Sequence, residues 1–144
     1  MRTILLDDAL YATMEAERLA RTDGGLPVCL CVTDGCGDLL AFVRMDGAAE
    51  RLVPIVIAKA YTAVRMRATT EAFRTRLLDG GLTLNDFCDP LLTSLPGGVP
   101  LLAEDGRCVA AVAVSGRALA DDAALAATYA RLLRERLDPA RGAD

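Results

Sequence analysis

Two pairs of short apolar runs, each joined by a turn containing Asp-Gly, constrain this chain more than any other feature. Val28–Val32 and Leu39–Val43 flank Asp34-Gly35-Cys36-Gly37, and Val99–Ala103 and Cys108–Ser115 flank Glu104-Asp105-Gly106-Arg107. Turns this tight join antiparallel strands, because a parallel pair needs a crossover of a dozen or more residues. A doubly wound parallel sheet is thereby excluded. Runs apolar on both faces, such as Val28-Cys29-Leu30-Cys31-Val32, read as strands covered on both sides.

The remaining segments read as helices. From Asp7 to about Arg21, Ala9, Ala12, Ala16 and Leu19 form one stripe, and Asp23-Gly24-Gly25 ends it. Val53 to Arg67 opens with Pro54 in its first turn, and its middle, Ile55-Val56-Ile57-Ala58, is apolar around the whole circumference, which predicts a buried helix. A third helix is expected over Thr70–Leu78, capped by Thr69 or Thr70 and stopped by Gly80-Gly81. Leu82–Pro96 reads as a loop with short pieces, and the last helix runs from about Ala120 to Leu137 with Asp121 and Asp122 in its first turn. Helix, hairpin, helices, hairpin, helix is the order of an α+β domain. At 144 residues the expectation is a single domain over 1–144.

Composition narrows the chemistry. The chain has no histidine, so Ser-His-Asp and Cys-His nucleophile systems, His-rich zinc sites and imidazole-ligated haem are excluded together. Sixteen basic against 20 acidic residues argue against nucleic acid and anionic membrane surfaces as partners. No apolar run approaches a membrane span or a signal-peptide core, which leads to the expectation of a cytoplasmic protein. Five cysteines in such a chain suggest free thiols rather than a disulfide framework. Cys29 and Cys31 share a strand face and read as small core residues; no metal is expected.

Four motifs in order, Asp34-Gly-Cys-Gly-Asp-Leu-Leu-Ala-Phe-Val-Arg-Met-Asp-Gly-Ala48, Ala58-Lys-Ala-Tyr-Thr-Ala63, Pro96-Gly-Gly-Val-Pro100 and Val114-Ser-Gly116 followed by Asp122, resemble the GlcG/HbpS family, called haem-degrading or haem-binding and similar to the C-terminal domain of PduO. The resemblance implies a five-stranded antiparallel sheet flanked by helices, profilin-like, and association into homo-oligomers. It also implies a link to haem or corrinoid binding. Relatives commonly carry a histidine in the turn before the second strand, where this chain has Asp38, with Cys36 replacing a glycine. After Ser115-Gly116 they usually have a small residue, where this chain has Arg117.

Lys59 is the only lysine of the chain and sits mid-helix in an apolar stretch. Its ammonium must reach solvent or find an anion, since burial alone favours the neutral amine. It matches the family's lysine, and we expect it to act as an acid/base group or anion holder. Arg44 and Asp46 fall on the same side of a strand end, where Arg44 can clamp a carboxylate and Asp46 orient it or act as base; a local ion pair is the plainer reading. Thr62, Gly97, Gly98, Arg117, Asp122 and Asp38 complete the expected substrate-binding set. Cys36, at the tip of its turn, is a candidate thiolate if backbone N–H groups point at it. The function expected is acid/base chemistry, such as isomerisation, cyclisation or elimination, on a polar anionic organic molecule without a cofactor. The alternatives are a haem or corrinoid protein without histidine ligation and a non-catalytic oligomeric subunit.

Overall fold

The computed structural model describes residues 1–139; the tail 140–144, included in the expected domain, lies outside the described residues. The elements are α1 (Leu6–Thr22), β1 (Cys29–Asp34), β2 (Leu39–Arg44), α2 (Leu52–Met66), α3 (Thr70–Gly80), a 3₁₀ turn (Leu84–Phe87), β3 (Gly98–Leu102), β4 (Cys108–Ser115) and α4 (Leu119–Leu137). Both Asp-Gly turns join hairpins, as their residues require. The two hairpins then pair through β1 and β4 to give one antiparallel sheet in the order β2-β1-β4-β3.

This sheet has four strands, not the five that the family resemblance implies. The two hairpins are the whole of the strand signal in the described residues. Residues 1–5 run alongside α4 instead, where the Arg2 backbone N–H donates to the Leu137 carbonyl at 3.4 Å. Leu82–Pro96 carries Pro90 and Pro96, which lack an N–H for a ladder, and folds as the 3₁₀ turn plus irregular chain.

The strand alternation sorts the core. Val28, Leu30, Val32, Val112 and Val114 face α1 and α4, where Ala9, Ala12, Ala16, Tyr129 and Leu133 meet them. Cys29, Cys31, Ala111 and Ala113 face α2, against Val56, Ala60 and Ala63. Alanines on α1 and on the α2 face of β4 let helix and sheet approach closely, so few aromatics are needed. Helix α2 departs from the expectation of burial all round. Its inner face is buried and Val53 and Ile57 pack partly buried at the edge of that core, but Ile55 and Ala58 are partly exposed, because within one chain only one side meets the sheet.

The caps follow their residues. Thr69 accepts from the Ala72 backbone N–H at 3.1 Å, so Thr69 caps α3 and Thr70 is left free to point inward. No helix among the described residues is long and apolar enough to cross a membrane.

Candidate functional site

The C-terminal end of β4 brings together residues from distant parts of the sequence. Lys59 Nζ, from the middle of α2, donates to the Val114 carbonyl at 2.8 Å and to Asp122 Oδ2 at 3.0 Å. The two charged side chains are 1% and 3% exposed. Asp122 owes its place to the first turn of α4, and its other contacts are backbone N–H groups of the preceding turn: Arg117 N to Oδ1 at 2.9 Å and Gly116 N to Oδ2 at 3.3 Å. The lysine therefore does not snorkel. Burial pushes its pKa down, the Asp122 carboxylate opposing this.

Gly97 and Gly98 close the other side. Gly97 has φ of +122°, and a Cβ there would meet the Val114 carbonyl and the Lys59 ammonium. A Cβ on Gly98 would run into the Lys59 backbone carbonyl, and the Gly98 N–H donates to Thr70 Oγ1 at 2.9 Å. Both glycines are thus needed for close approach to the lysine turn. They also line a small cavity of about 140 Å³, together with Thr69, Glu71, Ala123 and Ala127. Thr62, one turn after Lys59, is buried and accepts the Thr93 N–H at 3.0 Å, which ties the loop before β3 to α2.

Other expected residues lie elsewhere. Arg44 and Asp46 are exposed, at the β2 edge. Arg44 is in register with Cys29, itself in register with Ser115, so it shares an end of the sheet with Lys59 but sits two strands away from β4. No hydrogen bond or ion pair joins Arg44 to Asp46. Asp38 is exposed in the β1–β2 turn, at the opposite end of the sheet. In that turn the Cys36 and Asp38 backbone N–H groups both donate to Asp34 Oδ1, at 2.8 and 3.0 Å, and Gly37 N donates to the Asp34 carbonyl. They are spent on Asp34 and leave no cradle for a Cys36 thiolate.

The side chain of Arg117 also turns away from the cluster. Its guanidinium grips both oxygens of Asp23, at 2.6 and 2.8 Å, and donates to the Leu26 and Ala20 carbonyls, fastening the end of α1 to the start of α4. Its backbone, not its charge, serves Asp122. Cys29 and Cys31 are fully buried, and burial raises both thiol pKa values.

Thr70 and the Val114 carbonyl belong to this site and are not part of the expected set. The signal for Thr70 was present: two successive threonines stand where α3 begins and one suffices as cap.

An antiparallel sheet between two helical layers, with a buried Lys–Asp pair at one strand end beneath a Gly-Gly turn, defines a small α+β class of protein. Residues 4–131 match the family described as haem-degrading protein HbpS-like, and the chain belongs to it. It is 40% identical over 114 residues to Protein GlcG of Escherichia coli strain K12, covering 79% of this chain and 83% of that one. The crystal structure of HbpS superposes with a TM-score of 0.77 at 33% identity, covering 95% of this chain and 92% of the other. That of a PduOC:haem complex superposes with a TM-score of 0.78 at 22% identity, over 91% and 95%, a likeness of fold.

Proposed function

We propose that this protein is a small-molecule catalyst in which Lys59 and Asp122 form an acid/base pair acting on a polar, anionic organic substrate. The observation that supports this most is the burial of a lone lysine against a carboxylate beneath two glycines that line a cavity. Burial lowers the lysine's pKa, which is the direction an amine needs in order to exchange protons near neutral pH. A buried ion pair contributes little net stability over a hydrophobic replacement, so stability alone is a weak reason for it. In this reading substrate enters by the Gly97–Gly98 cavity, whose volume suits a molecule of a few heavy atoms; neither Lys59 nor Asp122 lines it, so the Gly97–Gly98 turn must move for the pair to touch substrate. Arg44 and Asp46 are not part of this pair, since β1 and β4 separate them from β3.

Proton transfer is tested directly by deuterium exchange. Small keto and hydroxy acids are incubated with the protein in deuterated water and followed by NMR. Exchange at the carbon next to the carboxylate or carbonyl, lost in Lys59→Met and kept in the surface variant Arg131→Ala, is the expected result. No exchange above the protein-free rate across the panel would overturn the reading.

The second reading is haem or corrinoid binding, favoured by the family's description and by the haem complex of PduOC. Without histidine, the donors at the surface include the thiols of Cys36 and Cys88, both exposed, and Cys108, partly exposed, with exposed Tyr11 and Met14. One of these would be the axial ligand, and the bound group would supply redox chemistry. A saturable Soret shift on haemin titration, abolished by a single Cys→Ala, Tyr11→Phe or Met14→Ala variant, would favour it over the first. The half-exposed apolar side of α2 supports a homo-oligomer, which native mass spectrometry of the full chain would count.

A further inference from the structure

At the end of the sheet opposite Lys59 lies a cleft of about 820 Å³ that the proton-transfer reading does not use and that Cys36 and Cys108, two of the candidate haem ligands, help to line. Cys108 and Ser115 bound β4, so at about 3.3 Å per strand residue the two places are some 20 Å apart. Three guanidinium side chains line this cleft: Arg65 and Arg67 from the end of α2, and Arg107 from the β3–β4 turn. Ile4, Leu40, Val64 and Val109 supply apolar wall between them. In a chain of net charge −4 this is a local excess of positive charge.

Against these three arginines the cleft lining carries one acidic residue among the described residues. Asp34, on the cleft wall, has Oδ1 engaged by two backbone N–H groups of its own turn. Arg65 is held only loosely, with Asp89 at 3.6 Å, and Arg107 more loosely still, with Asp105 at 3.9 Å. Arg67 has no acidic side chain within ion-pair distance among the described residues. Its backbone is also unusual: as the residue that ends α2 it has φ +49° and ψ +37°, the left-handed conformation usually taken by glycine at this position. A β-carbon is disfavoured there, so stability of the helix end does not explain an arginine.

We infer that this cleft binds an organic oxyanion, a carboxylate or phosphate ester carrying an apolar body, with Arg67 as its principal contact and Arg65 and Arg107 on either side. Guanidinium groups suit both head groups by paired hydrogen bonds, and the aliphatic wall favours an organic body over a bare inorganic ion.

The test is calorimetric titration of the full chain with benzoate, phenyl phosphate, inorganic phosphate and benzyl alcohol. Saturable binding of benzoate or phenyl phosphate is expected, the stronger of the two identifying the head group, with inorganic phosphate weaker and benzyl alcohol weaker still. Arg67→Gly relieves the left-handed backbone, so its Tm should equal or exceed that of the parent while affinity falls about tenfold or more, as for loss of a charged hydrogen bond. Arg107→Ala, on an exposed turn, should also weaken binding. The bound anion should slow alkylation of Cys36, which lines the cleft, by N-ethylmaleimide and leave Cys88, outside it, unaffected. Failure of both organic anions to saturate, full affinity in Arg67→Gly, or equal affinity for benzyl alcohol would each overturn the proposal. None of the titrants contains a metal or an acidic C–H, so anion binding is read apart from axial ligation of haem and from proton exchange at Lys59.

Discussion

Lys59 Nζ and Asp122 Oδ2 lie 3.0 Å apart with almost no solvent access to either, and the partners left behind when one is removed differ sharply. Asp122 without the lysine keeps two backbone N–H donors, from Gly116 and Arg117. Lys59 without the aspartate keeps only the Val114 carbonyl. Breaking a buried pair typically costs about 3–5 kcal/mol. Asp122→Ala should therefore lie at the upper end of that range and Lys59→Met at or below the lower end. The double variant Lys59→Met/Asp122→Leu should be more stable than Asp122→Ala alone. Urea unfolding measures all three, and equal losses for the two single variants would contradict this account.

Gly97→Ala should be among the most damaging single-methyl additions in the chain. It places a Cβ at φ +122°, against the Val114 carbonyl and 3.0 Å from Lys59 Nζ, so backbone strain and a clash with a buried charge act together. A loss of about 3 kcal/mol or more is expected from chemical denaturation. Gly106→Ala has φ +80° but open space around it, and should cost only the conformational term of about 1–2 kcal/mol.

How much of this was legible in the sequence depends on the range of the interaction. The hairpins were readable because an Asp-Gly turn between apolar runs is a local signal, and a threonine cap at Thr69 or Thr70 could be expected for the same reason, the structure choosing Thr69. Lys59, Gly97, Gly98 and Asp122 could be selected as site residues, but that they meet at one point is a product of how α2 and α4 cover the sheet. The destination of Arg117 was not legible. An arginine after Ser-Gly reads as a free cation, and only the fold shows Asp23 and two carbonyls of the α1 end within its reach. Asp8 offered a readable signal: it lies four and eight residues before Ala12 and Ala16, on the buried stripe of α1.

That buried carboxylate makes stability depend on pH. Asp8 accepts two hydrogen bonds from Arg2, at 2.6 and 2.7 Å, one from Arg136 and one from the Leu5 N–H. The Arg2 guanidinium, foremost, lowers its pKa from 3.8 to about 2. A carboxyl whose folded value lies below its unfolded one stabilises the fold fully above about pH 4, and this contribution is lost as pH falls toward 2. With both arginines nearly half-exposed, screening reduces the contribution to about 1–2 kcal/mol. Asp8→Asn should lower stability at pH 7 by that amount and show a shallower decline between pH 4 and pH 2, as measured by Tm. Parallel pH profiles for parent and variant would exclude the effect.

The last prediction separates what Arg117 does by charge from what it does by shape. Its guanidinium makes four hydrogen bonds to three groups, two of them to the oxygens of Asp23, and its side chain is only 9% exposed although Asp23 is 41% exposed. The plane of the fork packs against Gly25, where a Cβ would strike the guanidinium. A lysine carries the same charge but cannot span Asp23 and the Leu26 and Ala20 carbonyls at once, and a compact ammonium is held less well against a glycine backbone. Arg117→Lys should therefore lose most of what Arg117→Ala loses, about 2–3 kcal/mol, rather than restore the parent. Gly25→Ala should reproduce part of the loss with the arginine still present, because it displaces the fork. If Arg117→Lys were instead as stable as the parent, a simple charge pairing with Asp23 would suffice. The distinction matters for Asp122, whose Oδ1 is held by the Arg117 backbone N–H. When the side chain no longer fastens the turn, that N–H is free to move, so Arg117→Ala should also weaken the placement of Asp122 opposite Lys59. Coupling between Arg117→Ala and Lys59→Met in a double-variant cycle would register that link, and strict additivity would deny it.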